Sequence, residues 1–197
     1  MSKIAVIIGS TRQGRFADKP AQWIADKLAE RSEIEVEILD LRDFPLPFFD
    51  DPVSPAWRNG APIADLTVRA WSEAIDRADG FVMIAAEYNH GYTAVLKNAI
   101  DHLYAEWNRK SVGFVGYGAV NGARAIEQLR QVAIELDMAP IRRSVSIPTA
   151  QLGRFIMEGA TDLDFSEADG AAESMIDDLV WWVDALAAAR STALVAS

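Results

Sequence analysis

Ile4-Ala5-Val6-Ile7-Ile8-Gly9-Ser10-Thr11-Arg12-Gln13-Gly14-Arg15-Phe16-Ala17 passes from an unbroken apolar run into a polar loop with glycines at 9 and 14. The run is too short for an ordinary helix and has no polar alternation, so it reads as a strand buried on both faces. Gly80-Phe81-Val82-Met83-Ile84-Ala85-Ala86 has the same character and ends at Glu87-Tyr88-Asn89-His90-Gly91. Two further stretches alternate instead: Ile34-Glu35-Val36-Glu37-Ile38, and residues 141–147, where Ile141, Val145 and Ile147 are the apolar members. Both read as edge strands with one wetter face. Val112 to Val115, running into Gly116-Tyr117-Gly118, supplies a fifth, internal strand.

Between the strands the apolar residues recur at helical spacing: Phe16, Trp23, Ile24 and Leu28, then Ile63, Leu66, Ala70, Trp71, Ala74 and Ile75. Val95, Leu96, Ala99, Ile100 and Leu103 form a third set, and Ile126, Leu129, Ala133 and Leu136 a fourth. Strand and helix therefore alternate with short connections, which favours a parallel sheet, right-handed crossovers and helices on both faces. With the second and fifth strands at the edges, the expected fold is α/β, a flavodoxin-like doubly wound five-stranded parallel sheet of order 2-1-3-4-5. In such a sheet ligands bind outside the carboxyl ends of strands one and three, where the winding reverses. A last helix is expected over about residues 171–190, with Met175, Leu179, Trp182 and Leu186 along one stripe. The segments 44–62, rich in proline, and 151–169, with Gly153, Gly159 and several acids, exceed typical connections and read as rim or interface elements.

The chain has 197 residues, half of them hydrophobic, enough for one well-buried core, and residues 1–197 are read as a single domain. Lysine and arginine total 19 against 29 acids, a net charge of −10 that argues against a nucleic-acid partner. No cysteine is present, so thiol nucleophiles, cysteine-ligated zinc and iron–sulfur clusters are excluded, and redox chemistry requires a bound cofactor. The short apolar stretch Ile4 to Ile8 lacks the features of a secretion signal. Nothing approaches the roughly 20 apolar residues of a membrane helix. The expected location is the cytoplasm, with no membrane partner.

The loop from Gly9 to Ala17 suits an anion. A helix N-terminus offers free N–H groups and partial positive charge, Ser10 and Thr11 add hydroxyls, and Arg12 and Arg15 bring two full charges. A polar turn with a capping serine and solvated arginines is the plainer alternative. The loop lacks the Gly-Lys-Ser/Thr of a Walker loop and the G-x-G-x-x-G of a dinucleotide site, so a monophosphate fits better. Glu87 to Thr93 stands across the crevice, where a flat heterocycle can meet loop N–H groups and Tyr88, unless both tyrosines only pack the loop. Residues 117–124, with Gly118 and Gly122, permit close approach to the same ring but carry little weight alone.

These residues are similar to those of the NADPH-dependent FMN reductases, a family that includes quinone, azo-dye and chromate reductases. The resemblance spans roughly Lys3 to Ile147. It rests on G-S-x-R at Gly9, Ser10 and Arg12, and on E-Y-N from Glu87 to Asn89. L-K-N-A-I-D from Leu96 to Asp101 and G-A-R-A-x-x-Q-L-R from Gly122 to Arg130 complete it. It implies bound FMN, with NADPH or NADH as electron donor and a quinone-, azo-, flavin- or metal-type small-molecule acceptor. Ser10 and Arg12 would hold the phosphate, Glu87, Tyr88 and Asn89 would contact the isoalloxazine, and Tyr117 and Gly118 would close its other side. The full implied cofactor-binding set adds Arg15, Phe16, Ala17, Asn121 and Gly122. Arg15 and Ala17 stand where the family commonly has serine and asparagine, and Ala86 and Thr93 where it commonly has proline.

No side chain is assigned a catalytic role, because in such an enzyme the flavin carries the chemistry. His90 and His102 are the general-acid suspects, although a packing or hydrogen-bonding role suits each, and His102 has the look of an interface residue. No metal site is expected. Trp181 and Trp182 point different ways on the last helix, suggesting a subunit interface, hence a homodimer or dimer of dimers, unless the sheet covers them. The rival readings are a flavodoxin-type electron carrier, which the acidic charge suits but Arg12 and Arg15 do not, and a flavin-binding redox sensor without significant NAD(P)H turnover.

Overall fold

The computed structural model describes residues 1–58 and 60–195. Strands β1 (Ser2–Ile8), β2 (Ile34–Asp40), β3 (Gly80–Ala86) and β4 (Ser111–Tyr117) alternate with helices α1 (Asp18–Ala29), α2 (Leu66–Asp76), α3 (Ala94–Asp101) and α4 (Ala123–Glu135). Two short strands follow, β5 (Ala139–Pro140) and β6 (Val145–Ser146), then a helical turn α5 (Thr149–Gly153) and the long α6 (Asp169–Val195). The strand pairings within the sheet are parallel and its order is β2-β1-β3-β4-β5, with β6 also on β4, so the flavodoxin-like doubly wound order expected from the sequence is present.

Alternate residues of each central strand feed two cores. Ile4, Val6, Ile8, Val82, Ile84 and Val115 pack against α1 and α6 through Ile24, Leu28, Met175, Ile176, Leu179 and Val183. Ala5, Ile7, Phe81, Met83, Val112 and Phe114 pack on the other face with Trp71, Ile75, Leu96, Ile100, Ile126 and Leu129 of α2, α3 and α4. Burial on both faces explains why β1, β3 and β4 read as uninterrupted apolar runs.

The fifth strand departs from expectation. Instead of one strand over residues 141–147, β5 pairs with Ser111 and Val112 and β6 with Val115 and Gly116. The interruption has a cause: Arg130 Nη1 donates to Ile141 O and Nη2 to Arg142 O at 2.9 Å, while Arg143 Nε turns out to Asp178 at 2.8 Å. Ile141, Val145 and Ile147 are nonetheless all buried, so the alternation reported side-chain direction correctly and strand continuity wrongly.

The long segments are less irregular than expected. Residues 44–62 contain a 3-10 turn at Pro55–Trp57, and Pro47 O accepts from Asn98 Nδ2 at 2.8 Å and meets His102 Nε2 at 2.8 Å. His102 is thus a buried structural residue tying this segment to the end of α3. Residues 151–169 include most of α5, a π-helical turn at Arg154–Glu158 and a 3-10 turn at Ser166–Ala168 leading into α6. The buried stripe of α6 is Met175, Ile176, Leu179 and Val183, and Trp182, expected on it, is exposed together with Trp181. Among the described residues no helix is long and apolar enough to cross a membrane.

Candidate functional site

The loops after β1, β3 and β4 converge on a cleft of about 410 Å³ at the carboxyl end of the sheet, where the winding reverses between β1 and β3. Arg12 to Phe16, Glu87, Tyr88 and Tyr117 to Ala119 form its walls, and Leu152, Phe155 and Ile156 cover one side. A hollow of about 530 Å³ beside Arg58 and Tyr104 is larger, and one of about 310 Å³ lies between Leu41 and Val95, but neither joins the three strand ends. Position at the switch point decides for the first.

The first loop begins at Gly9, where a Cβ would come within 2.6 Å of Ile84 O, so only glycine lets the chain leave β1 so close to β3. Gly9 O accepts from Thr93 Oγ1, and the same hydroxyl caps α3 by accepting from Leu96 N at 3.2 Å. One threonine thereby fixes the start of the first loop and the start of α3. Ser10 is buried, and its Oγ shares a hydrogen bond with Tyr88 Oη at 2.9 Å, joining the first loop to the second.

Arg15 behaves otherwise than a solvated phosphate ligand. Its side chain is buried: Nη1 donates to Ser10 O at 2.5 Å and to Asp40 Oδ1 at 2.7 Å, Nη2 pairs with Asp40 and Asp18, and Nε donates to Asp18 Oδ1 at 2.6 Å. Burial opposes the charged guanidinium, but the hydrogen bonds to Asp40 and Asp18 outweigh it and raise the pKa. Burial likewise opposes the Asp40 carboxylate, and Arg15 and the Arg42 N–H outweigh that, holding its pKa below the usual range. Arg12, by contrast, is exposed at the mouth of the cleft, and its guanidinium makes no ion pair among the described residues.

The second loop is a tight turn. Tyr88 N donates to Gly91 O at 2.8 Å and Gly91 N to Tyr88 O at 3.0 Å, with Asn89 and His90 at φ of 47° and 76°. Gln128 Nε2 holds His90 O at 2.8 Å. The buried Glu87 carboxylate accepts from Arg124 N at 3.1 Å and pairs with Arg124 Nη1 at 3.0 Å, bracing the second loop against the third. The third loop needs its glycines: at Gly122, φ +79°, a Cβ would stand 2.4 Å from Tyr117 N, and at Gly118, φ +143°, one would meet Glu87 Cβ at 2.7 Å. Asn121 Oδ1 accepts from Thr149 N at 3.1 Å and Oγ1 at 2.7 Å, which carries the chain from α5 onto the cleft.

Of the site residues named from sequence, Arg12, Arg15, Phe16, Glu87, Tyr88, Tyr117 and Gly118 line one cleft. Ser10 touches it through Tyr88, while Ala17 sits buried at the N-terminus of α1, and Asn89, Asn121 and Gly122 shape the turns of the second and third loops with positive φ. Leu152, Phe155 and Ile156 escaped the sequence reading because their segment carries no strand or helix period, and Phe155 reaches Phe16 edge-on at 5.5 Å only once the π turn forms. Asp40 escaped it as well, although an acid at the last position of an edge strand beside a two-arginine loop was the available signal.

Residues 2–151 match the model of the family described as NADPH-dependent FMN reductase. An NAD(P)H-dependent FMN reductase of Schizosaccharomyces pombe is 35% identical over 168 residues, covering 81% of this chain and 80% of that one. A quinone reductase of Escherichia coli is 34% identical over 142 residues, covering 68% and 71%. Among solved structures, the flavoenzyme NAD(P)H:(acceptor) oxidoreductase FerB from Paracoccus denitrificans superposes with a TM-score of 0.70 at 22% identity, covering 93% of this chain and 98% of that one, a likeness of fold. The chain belongs to the NADPH-dependent FMN reductase family and is an oxidoreductase.

Proposed function

We propose that the cleft between the three loops holds FMN, and that residues 1–197 work as one domain to oxidise NADPH or NADH and reduce a small-molecule acceptor of quinone, azo, flavin or metal type. The observation that carries the proposal is the convergence of an anion-receptive loop and an aromatic-walled cleft at the β1/β3 switch point. Two features fit the cofactor. α1 starts without a side-chain cap, and the N–H groups of Gln13, Gly14, Phe16 and Ala17 find no acceptor among the described residues, which suits a phosphate. Tyr117 Oη is buried with no hydrogen-bond partner among the described residues, a polar atom that a ring heteroatom or ribityl hydroxyl would satisfy.

In this reading Arg12 and the loop N–H groups hold the phosphate, Tyr88 and the Asn89 turn face the ring, and Gly118 lets the backbone approach it. Phe16, Tyr117 and Phe155 keep water from one side of the cleft. Burial, with Tyr88 adding to it, raises the Tyr117 pKa, so its hydroxyl stays a neutral donor. FMN supplies the hydride acceptor and the electron donor that no side chain here provides. A homodimer is part of the proposal, supported by the exposed, mutually packed Trp181 and Trp182 on α6, 5.2 Å between ring centroids.

The test is an absorbance spectrum of protein incubated with FMN, followed by anaerobic NADPH and then NADH. Bleaching of the bound-flavin band at about 450 nm within seconds is the expected result, and the faster donor reveals the preference. A flavin that binds but stays oxidised would overturn the reductase reading in favour of a carrier or sensor.

A further inference from the structure

The first loop contains two carbonyl groups that an approaching anion would meet unfavourably, Ser10 O and Arg12 O, and each is held by an arginine. Arg15 Nη1 donates to Ser10 O at 2.5 Å, and Arg42 Nη2 donates to Arg12 O at 2.5 Å, with Arg15 N adding a bond to Arg12 O at 3.2 Å. In a planar trans peptide the N–H points opposite to the carbonyl, and no peptide among the described residues is cis. Fixing those two carbonyls therefore turns the N–H groups of Thr11 and Gln13 away from the arginines, and neither N–H has an acceptor among the described residues.

Both arginines are in turn set by one carboxylate. Asp40, the last residue of β2, takes the Arg15 guanidinium on both of its oxygens, and its Oδ1 also accepts from Arg42 N at 2.9 Å, fixing the backbone from which the Arg42 side chain extends. Asp18, on the first turn of α1, completes the shell around Arg15. With its guanidinium committed to two acids and a carbonyl, Arg15 has little left to offer a ligand. Its charge neutralises the acids that would otherwise stand beside an anion site.

We infer that Asp40 is a positioning residue for the cofactor phosphate: through Arg15 and Arg42 it holds the loop's carbonyls away from the anion and its N–H groups towards it, while Arg15 itself is not a phosphate ligand. The inference rests on the proposed function, in that it takes the anion to be the FMN phosphate. It reverses the expectation that Arg15 brings its charge to the anion directly as a member of the cofactor-binding set.

Titration of FMN and of riboflavin, which lacks the phosphate, into wild type, Asp40→Asn, Asp40→Glu and Arg15→Met by quenching of flavin fluorescence tests it. Asp40→Asn is expected to weaken FMN binding by roughly ten- to a hundredfold, as loss of a partner orienting a ligand set does, and to leave riboflavin binding unchanged. Asp40→Glu is expected to restore part of the loss, and Arg15→Met to resemble Asp40→Asn. If Asp40→Asn leaves FMN affinity unchanged or tightens it while Arg15→Met weakens it, Arg15 binds the phosphate directly and the inference fails. Equal losses for FMN and riboflavin would also overturn it, because the effect would then be general disruption of the cleft. Should Asp40→Asn not fold, the pair Arg15→Met with Asp40→Asn leaves no buried charge unpaired, and wild-type FMN affinity in that variant overturns the inference. Wild-type protein that binds neither flavin would refute the proposed function itself, and the inference with it, before any variant is made.

Discussion

Arg12 and Arg15 lie on the same loop in opposite surroundings, one exposed at the mouth of the cleft and the other enclosed by Asp18, Asp40 and the Ser10 carbonyl. Side-chain type gave both the same reading in the sequence, because a guanidinium near a helix N-terminus suits an anion wherever it points. What separates them is an acid brought over from the end of β2, a long-range contact that local pattern does not contain. Arg12 makes no ion pair among the described residues, so Arg12→Ala is expected to weaken FMN binding by about 1.5–3 kcal/mol, the range for a lost charge-assisted hydrogen bond. Unchanged affinity in a fluorescence titration would place the phosphate elsewhere. The site residues legible from sequence were those whose chemistry shows in type and order, such as Tyr88 and Tyr117. Glu87 lines the cleft, yet its carboxylate is taken up by Arg124, a role that emerges only when α4 packs beside β3.

At the level of elements, β1, β3 and β4 were readable because burial on both faces writes itself as consecutive apolar residues, and their parallel order follows from the helices between them. The fifth position was not readable as two pieces, since a guanidinium from α4 occupies the carbonyls of Ile141 and Arg142. Helix starts also moved: Phe16 shows the helical period but lies before α1, and Ile63 lies before α2, whose start is set at Asp65 by side-chain bonds to Thr67 N at 2.8 Å and Val68 N at 3.0 Å. Thr93 is the cap with most consequence, because its hydroxyl both starts α3 and holds Gly9 O at the root of the first loop. Thr93→Ala is expected to cost about 1–2 kcal/mol of unfolding free energy in a denaturant titration, the range for a lost cap, and also to weaken FMN binding, whereas Thr93→Ser should retain both. A Thr93→Ala protein of unaltered stability would show that the cap bond contributes nothing net.

Across the whole molecule two features remain outside the cleft. The proposed dimer places the exposed Trp181 and Trp182 of α6 against a second copy, so Trp182→Glu is expected to lower the mass measured by light scattering to that of one chain. An unaltered mass would retire that face as the interface. At the opposite end of the sheet from the cleft, Lys110 precedes β4 and is buried, its Nζ donating to Ile75 O at 2.9 Å and Asp76 O at 2.8 Å at the end of α2, with Phe81 below it. Its pKa is lowered to about 8, chiefly by burial, with Arg190 of α6 acting in the same sense and Asp76, Asp79 and Glu106 against both. The unfolded chain keeps this proton up to its ordinary value of 10.5. Between about pH 8 and 10 the unfolded state therefore binds more protons than the folded one, and stability must rise with pH through that window. The full difference is worth at most about 3.4 kcal/mol, and below pH 8 it stands as a constant cost of keeping a charged lysine buried. Tyr92 and Tyr117, whose pKa values burial raises, act in the opposite sense once the unfolded chain's tyrosines ionise near pH 10, which bounds the window from above. Lys110→Met keeps the apolar stem and removes the titration, so its melting temperature between pH 8 and 10 should lack the rise that wild type shows. Parallel curves for the two proteins would mean that Lys110 titrates near its ordinary value, with water reaching the end of α2.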